Sequence, residues 1–313
     1  MFAVKIYAAP ADIDTTVAQW KQLGFDTIMV GRACLKDAAF IEKLHEAGFA
    51  LSVVEPLFLA DEGTAPFSDY RPALFEDGSV AVDDWVRFVC PSDTAWLSKV
   101  YDRIHNDAAS GADIVTFDFA RFFQFWEMVL PETDEAALKR TCSCDLCSAA
   151  ASAFKSGREW RTGVISSTVK KCSQAAHAAK SDIRTGVHIV PWKTDMFGGA
   201  LEGVLGQDLS ELSNYVDFLA PMTYQHMIHQ PPEYISELVT NHRKTINDRI
   251  PVIPSVQIKE IYRTDVLARD EFRKAIQEAL RSSTGGLSFY QWTDIAESKE
   301  SFDIIKQELQ PYL

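Results

Sequence analysis

The chain of 313 residues carries 31 Lys and Arg against 44 Asp and Glu, a formal net charge of −13. That balance argues against a nucleic-acid or anionic-membrane surface, both of which need a basic footprint. With 47% hydrophobic and 24% charged residues the composition is globular rather than disordered, and no apolar run approaches the roughly 18 to 20 residues of a membrane span.

The opening Met1-Phe-Ala-Val-Lys-Ile-Tyr-Ala-Ala-Pro10 reads as a strand entering a turn. It has no basic stretch followed by a long apolar core, so a cytoplasmic location is expected, with a secreted form that has lost its leader as the alternative. Short apolar, β-branched runs then recur at Asp26–Val30, Ala50–Glu55, Asp113–Phe119, Ile183–Val190, Val216–Tyr224, Pro251–Gln257 and Gly286–Tyr290, making eight strands with Phe2–Ala8. Stretches of helical period separate them at Asp14–Leu23, Asp37–Ala47, Asp93–Ala108, Pro232–Thr245, Asp270–Arg281 and Ser298–Leu309, and a further pair is predicted around Glu135–Lys155 and Ser156–Lys180. Eight strands alternating with helices predict parallel βα units, and the count favours a (β/α)8 barrel over a doubly wound sheet. The absence of a Gly-x-Gly-x-x-Gly after the first strand points the same way. We read residues 1–313 as one catalytic domain. The segments Pro56–Val89 and Arg121 to about Ser181 exceed ordinary βα connections, and in a barrel both lie at the C-terminal mouth, where active sites are built.

Alternation along the fourth strand puts Ile114, Thr116 and Asp118 on one face and Val115, Phe117 and Phe119 on the other, which aims Asp118 into the barrel at its C-terminal end. Acid–base catalysis at such a mouth can use two carboxyl groups, one protonated and one ionised. Asp118 is the first candidate. Glu127 is the second, because Trp126 beside it can stack on a sugar and lower the local polarity. Glu55 is the third, expected to face inward with Leu51 and Val53. Asp195 and Asp294 read as surface or capping residues. Arg121 would orient Asp118 or bind a substrate hydroxyl or carboxylate. Tyr7, His188, Trp192, Tyr224, Gln257, Tyr290 and Trp292 complete the expected mouth, a mixture of rings and hydrogen-bonding groups suited to sugars. His226 and His229 read as loop residues. Each position also has a structural alternative, namely a cap, a salt bridge or a core aromatic.

Cys142-Ser-Cys144-Asp-Leu-Cys147 can bring three thiolates onto one zinc ion, with Cys90 as the fourth candidate ligand. A structural zinc site, reduced free cysteines, and a disulfide or redox pair are the readings left open. Cys34 and Cys172 read as ordinary buried cysteines.

Asp113-Ile-Val-Thr-Phe-Asp118-Phe-Ala-Arg121-Phe-Phe, continuing to Phe125-Trp126-Glu127, resembles a segment of uncharacterised glycosyl-hydrolase-like TIM barrels, and Phe88-Val-Cys-Pro91 before a long helix matches their pattern. A more distant resemblance is to glycoside hydrolase family 18, whose strand-four motif Asp-x-x-Asp-x-Asp-x-Glu ends its aspartates at Asp118. Its catalytic Glu falls on Ala120 and its second Asp on Thr116, so that family's substrate-assisted chemistry is not implied. Pro221-Met-Thr-Tyr224-Gln225 is similar to its Met-x-Tyr-Asp, and Tyr290 stands where it has a platform Trp, with Trp292 expected on the same face. The cysteine run resembles that of family 42 β-galactosidases, which bind a structural zinc there; their catalytic glutamates have no match at Asp118 or Gln257. These likenesses imply a two-carboxylate glycosidase with a carbohydrate substrate, as monomer or homo-oligomer, needing no cofactor for catalysis. The alternatives are a barrel that binds sugar without cleaving it and, more remotely, a lyase or phosphate-substrate isomerase.

Overall fold

The structure, a computed structural model of the chain, describes residues 1–60 and 64–313. Its frame is a nearly closed barrel of eight parallel strands: β1 (Phe2–Ile6), β2 (Thr27–Gly31), β3 (Ala50–Pro56), β4 (Ile114–Asp118), β5 (Arg184–Ile189), β6 (Phe218–Pro221), β7 (Ser255–Gln257) and β8 (Leu287–Tyr290). They run in the order β6-β5-β4-β3-β2-β1-β8-β7. The two ends meet through the parallel bridges Leu219–Val252 and Met222–Ser255, and Ile253 N donates to Leu219 O at 2.8 Å. This is the (β/α)8 architecture that the alternation of elements predicts.

Local chemistry sets the helix boundaries. Helix α1 (Ile13–Gln22) opens on Asp12, α2 (Ala38–Glu46) on Asp37 and α3 (Thr94–Ala109) on Asp93, and each of these carboxylates accepts a backbone N–H of the first turn. Gly24 and Gly48 follow α1 and α2 at φ of 77° and 80°, the left-handed backbone that lets the chain reverse into the next strand. Two expectations fail for local reasons. Strand β7 begins only at Ser255, because Pro251 and Pro254 have no N–H to give a ladder. The stretch expected to be helical at Glu135–Lys155 is a single turn at Glu135–Ala137 and a short helix α4 (Asp145–Ala151). Between them the chain is non-helical and carries Cys142 and Cys144 inward. The following α5 (Gly157–Ala179) is long and regular.

The inward face of the strands is packed in the lower barrel by Ala3, Met29, Ile114, Phe218, Ala220 and Ile253. Phe218 fills the axis. A Cβ at Gly186 on the neighbouring strand would lie 2.2 Å from its ring, so that position tolerates no side chain. Above this plug, polar groups replace apolar ones, beginning with Ser52 and Thr116, whose hydroxyls are 3.1 Å apart. The outward face (Leu51, Val53, Val115, Phe117, Val187, Phe289) joins the helices in one continuous core. No helix among the described residues is long and apolar enough to cross a membrane.

Candidate active site

A cavity of about 580 Å³ opens at the C-terminal ends of the strands. Strand register decides what faces it. On β4, Thr116 pairs with Gly186 of β5, so two residues further on Asp118 and His188 stand side by side, both inward. His188 Nδ1 lies 3.2 Å from Asp118 Oδ2, an ion-pair contact off the angle of a good hydrogen bond. Lys5, inward on β1, approaches the same oxygen at 4.0 Å, and Phe119 N donates to Oδ1 at 2.8 Å. Burial works to raise the pKa of this carboxyl. His188, Lys5 and the Phe119 N–H outweigh it and hold Asp118 well below the usual carboxylate range.

Glu127 lines the same cavity from a helical turn, Trp126–Met128, in the long segment after β4. Its Oε2 is buried and has no hydrogen-bond partner. Burial pushes its pKa up to about 7; the Arg121 charge opposes this and the Asp118 charge adds to it. The cavity thus holds two carboxyl groups with opposite tendencies, one kept ionised and one kept protonated close to neutrality.

Six rings line the cavity, Trp85 among them. Tyr7 and Tyr290 are joined by their hydroxyls at 2.7 Å, and Lys5 Nζ lies 5.1 and 5.4 Å from their ring centroids. Tyr224 packs on Tyr290 at 5.4 Å and on Trp126 at 6.3 Å. Phe119 joins them, contrary to the outward face expected of it. Its φ of 49° turns the chain sharply at the strand end and swings the ring into the cavity. Arg121 is buried beside the site, its guanidinium over the Phe88 and Phe119 rings at 4.9 and 5.3 Å, with one Nη donating to Gln124 O at 2.7 Å.

Of the residues expected at the mouth, Asp118, Glu127, Tyr7, Arg121, Trp126, His188, Tyr224 and Tyr290 line the cavity. Four do not. Glu55 points outward, not inward: it lies on the Leu51–Val53 face, which is the helix side of β3, and the cavity sees Val54 and Pro56 instead. There it is fully buried, 2.7 Å from Arg103 and 3.0 Å from Arg32. Trp192 leaves the barrel with the chain after β5 and packs on Phe197 at 5.0 Å. Trp292 begins a short helix after β8 and stacks edge-on with Trp20 at 5.7 Å, because the chain has already turned away at Gln291. Gln257 spends both ends of its amide on backbone, taking Met227 N at 3.1 Å and giving to Lys259 O at 3.0 Å. Asp294 is buried against Lys259 at 2.6 Å.

Sequence reasoning missed Lys5, Arg32, Lys36, Trp85 and Met222. Lys5 was accessible to it, being two residues before Tyr7 on the same face. Trp85 was not. It arrives from the long segment after β3 on a two-stranded ribbon, Val82–Asp83 against Val86–Arg87, and its indole N–H donates to Tyr262 OH at 2.9 Å.

Away from the mouth, Cys90, Cys142, Cys144 and Cys147 are buried with their sulfurs all within 4.8 Å of one another. Cys90 Sγ is 3.6 Å from Cys144 Sγ and 3.4 Å from Cys147 Sγ. A tetrahedral zinc site with bonds of about 2.3 Å separates its sulfurs by about 3.8 Å, so the donor set and its spacing fit such an ion. Hydrogen bonds from Cys147, Cys90 and the Leu74 N–H favour the Cys142 thiolate. All six cysteines are free of disulfides. The cluster ties the segment after β3 to the segment after β4, the two that roof the cavity.

No protein-family profile matches the chain, and no curated protein matches it in sequence. Solved structures do. The glycoside hydrolase domain of PgaB (BpsB) from Bordetella bronchiseptica superposes with a TM-score of 0.70 at 13% identity, covering 97% of each chain. A β-galactosidase from the Antarctic haloarchaeon Halorubrum lacusprofundi gives 0.75 at 10% identity, over 99% of this chain and 58% of that one. The glycoside hydrolase domain of PelA from Pseudomonas aeruginosa gives 0.55 at 12% identity, over 92% and 94%. The chain thus spans little more than half of the β-galactosidase. At these identities the likeness establishes the barrel fold.

Proposed function

We propose that this chain is a glycoside hydrolase acting on an oligo- or polysaccharide, with Asp118 and Glu127 as its working carboxyl groups. The observation that carries the reading is the pairing of an ionised and a protonated carboxyl in one aromatic-lined cavity at the C-terminal mouth. Glu127 is the proton donor to the departing glycosidic oxygen, and Arg121 sets how readily it gives up that proton. Asp118, held ionised, faces the other side of the sugar as base for water or as nucleophile. Tyr224 and Tyr290 offer flat faces to sugar C–H groups, with the buried Trp126 packed behind Tyr224, while His188 and the paired Tyr7 and Tyr290 hydroxyls meet sugar hydroxyls. That structural neighbours are glycoside hydrolase domains supports the same reading.

The cysteine cluster is proposed to hold a structural zinc ion. Four soft thiol donors leave no open position for water, so the ion would brace the roof of the cavity and take no part in the reaction. Unpaired cysteines throughout fit a reducing, cytoplasmic setting.

The test is hydrolysis of a panel of aryl glycosides and polysaccharides, with products followed by proton NMR so that the first anomer formed assigns retention or inversion. Turnover that disappears in both Asp118→Asn and Glu127→Gln supports the assignment. Saccharide binding with no product from any substrate would replace it with a binding barrel.

A further inference from the structure

We infer that the saccharide taken by this cavity is acidic, carrying carboxylate groups of the uronic-acid kind. The inference rests on the carbohydrate reading above and names the substrate class for the same site.

It begins with an imbalance of charge. The whole chain has 44 acids to 31 bases, yet among the described residues the cavity wall holds two acids, Asp118 and Glu127, and four bases, Lys5, Arg32, Lys36 and Arg121. The four bases differ in what already neutralises them. Lys5 is matched by Asp118 at 4.0 Å. Arg121 makes its hydrogen bonds to the backbone carbonyls of Phe122 and Gln124. The opposing charge that acts on it most is that of Glu127, which burial leaves only partly ionised near neutral pH. In a space with less water than the surface, the two wall carboxylates therefore do not cancel all of the wall's positive charge, although Glu55 and Asp107 counter Arg32 from behind.

The other two bases stand together on one turn. Arg32–Lys36 is a helical turn directly after β2, and it sets Arg32 and Lys36 at the rim, four residues apart. Arg32 is fixed from behind. Its Nε lies 3.0 Å from Glu55 Oε2 and 3.2 Å from Asp107 Oδ2, which leaves the two Nη groups of the fork for a ligand. Lys36 is exposed, and its long flexible stem lets it reach a second oxygen. A fork held in place and an ammonium with no acidic partner among the described residues, on the same rim, make a good receptor for a carboxylate. It is a poor wall for an amino sugar, which it would repel. A saccharide whose reacting ring lies on Asp118 and Glu127 reaches this rim within the same cavity, so the acidic group read there belongs to a ring beside the reacting one.

Titration calorimetry on the wild-type chain with oligogalacturonates, oligoglucuronates and the matching neutral galactose and glucose oligomers tests this, with products analysed in the same samples. The acidic oligomers should bind about tenfold tighter at 0.05 M salt, and the preference should shrink several-fold at 0.3 M as screening shortens. Lys36→Glu should lower acidic affinity about fivefold more than neutral affinity. Neutral oligomers binding as well as acidic ones, or acidic oligomers not binding, would overturn it, as would equal losses in Lys36→Glu. The two readings fail separately. Acidic binding without bond cleavage removes the hydrolase and leaves the acidic site, whereas cleavage of neutral oligomers with no acidic preference does the reverse.

Discussion

His188 and Asp118 face each other at 3.2 Å because β4 and β5 run parallel in a register that brings both side chains inward at the same height. The imidazole and Lys5 keep the Asp118 carboxyl ionised in a site whose burial would otherwise neutralise it. His188→Gln removes part of that support, so the pKa of Asp118 rises and the acid limb of kcat/KM moves to higher pH. Lys5→Met should move it the same way. A pH profile with an acid limb unchanged in both variants would mean that Asp118 is not the titrating group.

Glu127 predicts the other limb. In its proposed role as proton donor it must be protonated, so activity should fall as pH rises through about 7. Glu127→Gln should lower kcat by roughly 10²–10⁴-fold on substrates with poor leaving groups and abolish that limb. Stability should move the opposite way. The folded pKa lies above that of an unfolded Glu, so Glu127 favours folding at low pH, and that stability is lost as pH rises from about 4.5 to about 7. Gln cannot ionise. The variant should therefore be more stable than wild type at pH 8, by up to about 3 kcal/mol, with the difference vanishing below pH ~4.5. Urea unfolding at both pH values measures it.

Glu55 separates structure from catalysis. It is fully buried between Arg103 and Arg32 on the helix side of β3, and burial raises its pKa to about 7 despite them. Glu55→Ala removes the carboxyl shared by the two guanidinium groups and leaves a cavity between them, and should cost about 3 kcal/mol of stability. The kcat of the folded fraction should stay within about threefold of wild type, a change of under 1 kcal/mol, while KM for an acidic substrate rises because Arg32 loses part of its support. Loss of kcat by orders of magnitude with unchanged stability would return Glu55 to the reaction.

The cysteine cluster predicts one zinc per chain in protein purified without chelator, measured by elemental analysis. Stripping it, or substituting Cys90→Ser, should lower the thermal midpoint by several degrees, on the order of a few kcal/mol for a lost structural ligand set. Because the cluster joins the two segments over the cavity, KM should rise more than kcat falls. Protein that holds no metal and is indifferent to chelation would leave the four thiols as packing only.

The barrel was readable from linear order alone. Eight β-branched runs spaced by helical periods, with carboxylate caps at Asp12, Asp37 and Asp93, are properties of neighbours in sequence, and each follows from backbone sterics and hydrogen-bond needs within a few residues. Asp118 was readable for the same reason, since alternation along one strand places it. Alternation misled once its phase was misjudged: Leu51, Val53 and Glu55 do share a face, and it is the outer one, because inside and outside are distinguished only by the curvature of the closed sheet. Trp192, Trp292 and Phe119 lie just past strand ends, where period 2 no longer holds and the turn decides direction. Trp85 beside Tyr262, and Lys5 beside Asp118, are separated by more than a hundred residues, and nothing local to either member names its partner. Closure of the ring brought them within reach, so folding created the field that sets one carboxyl ionised and the other protonated.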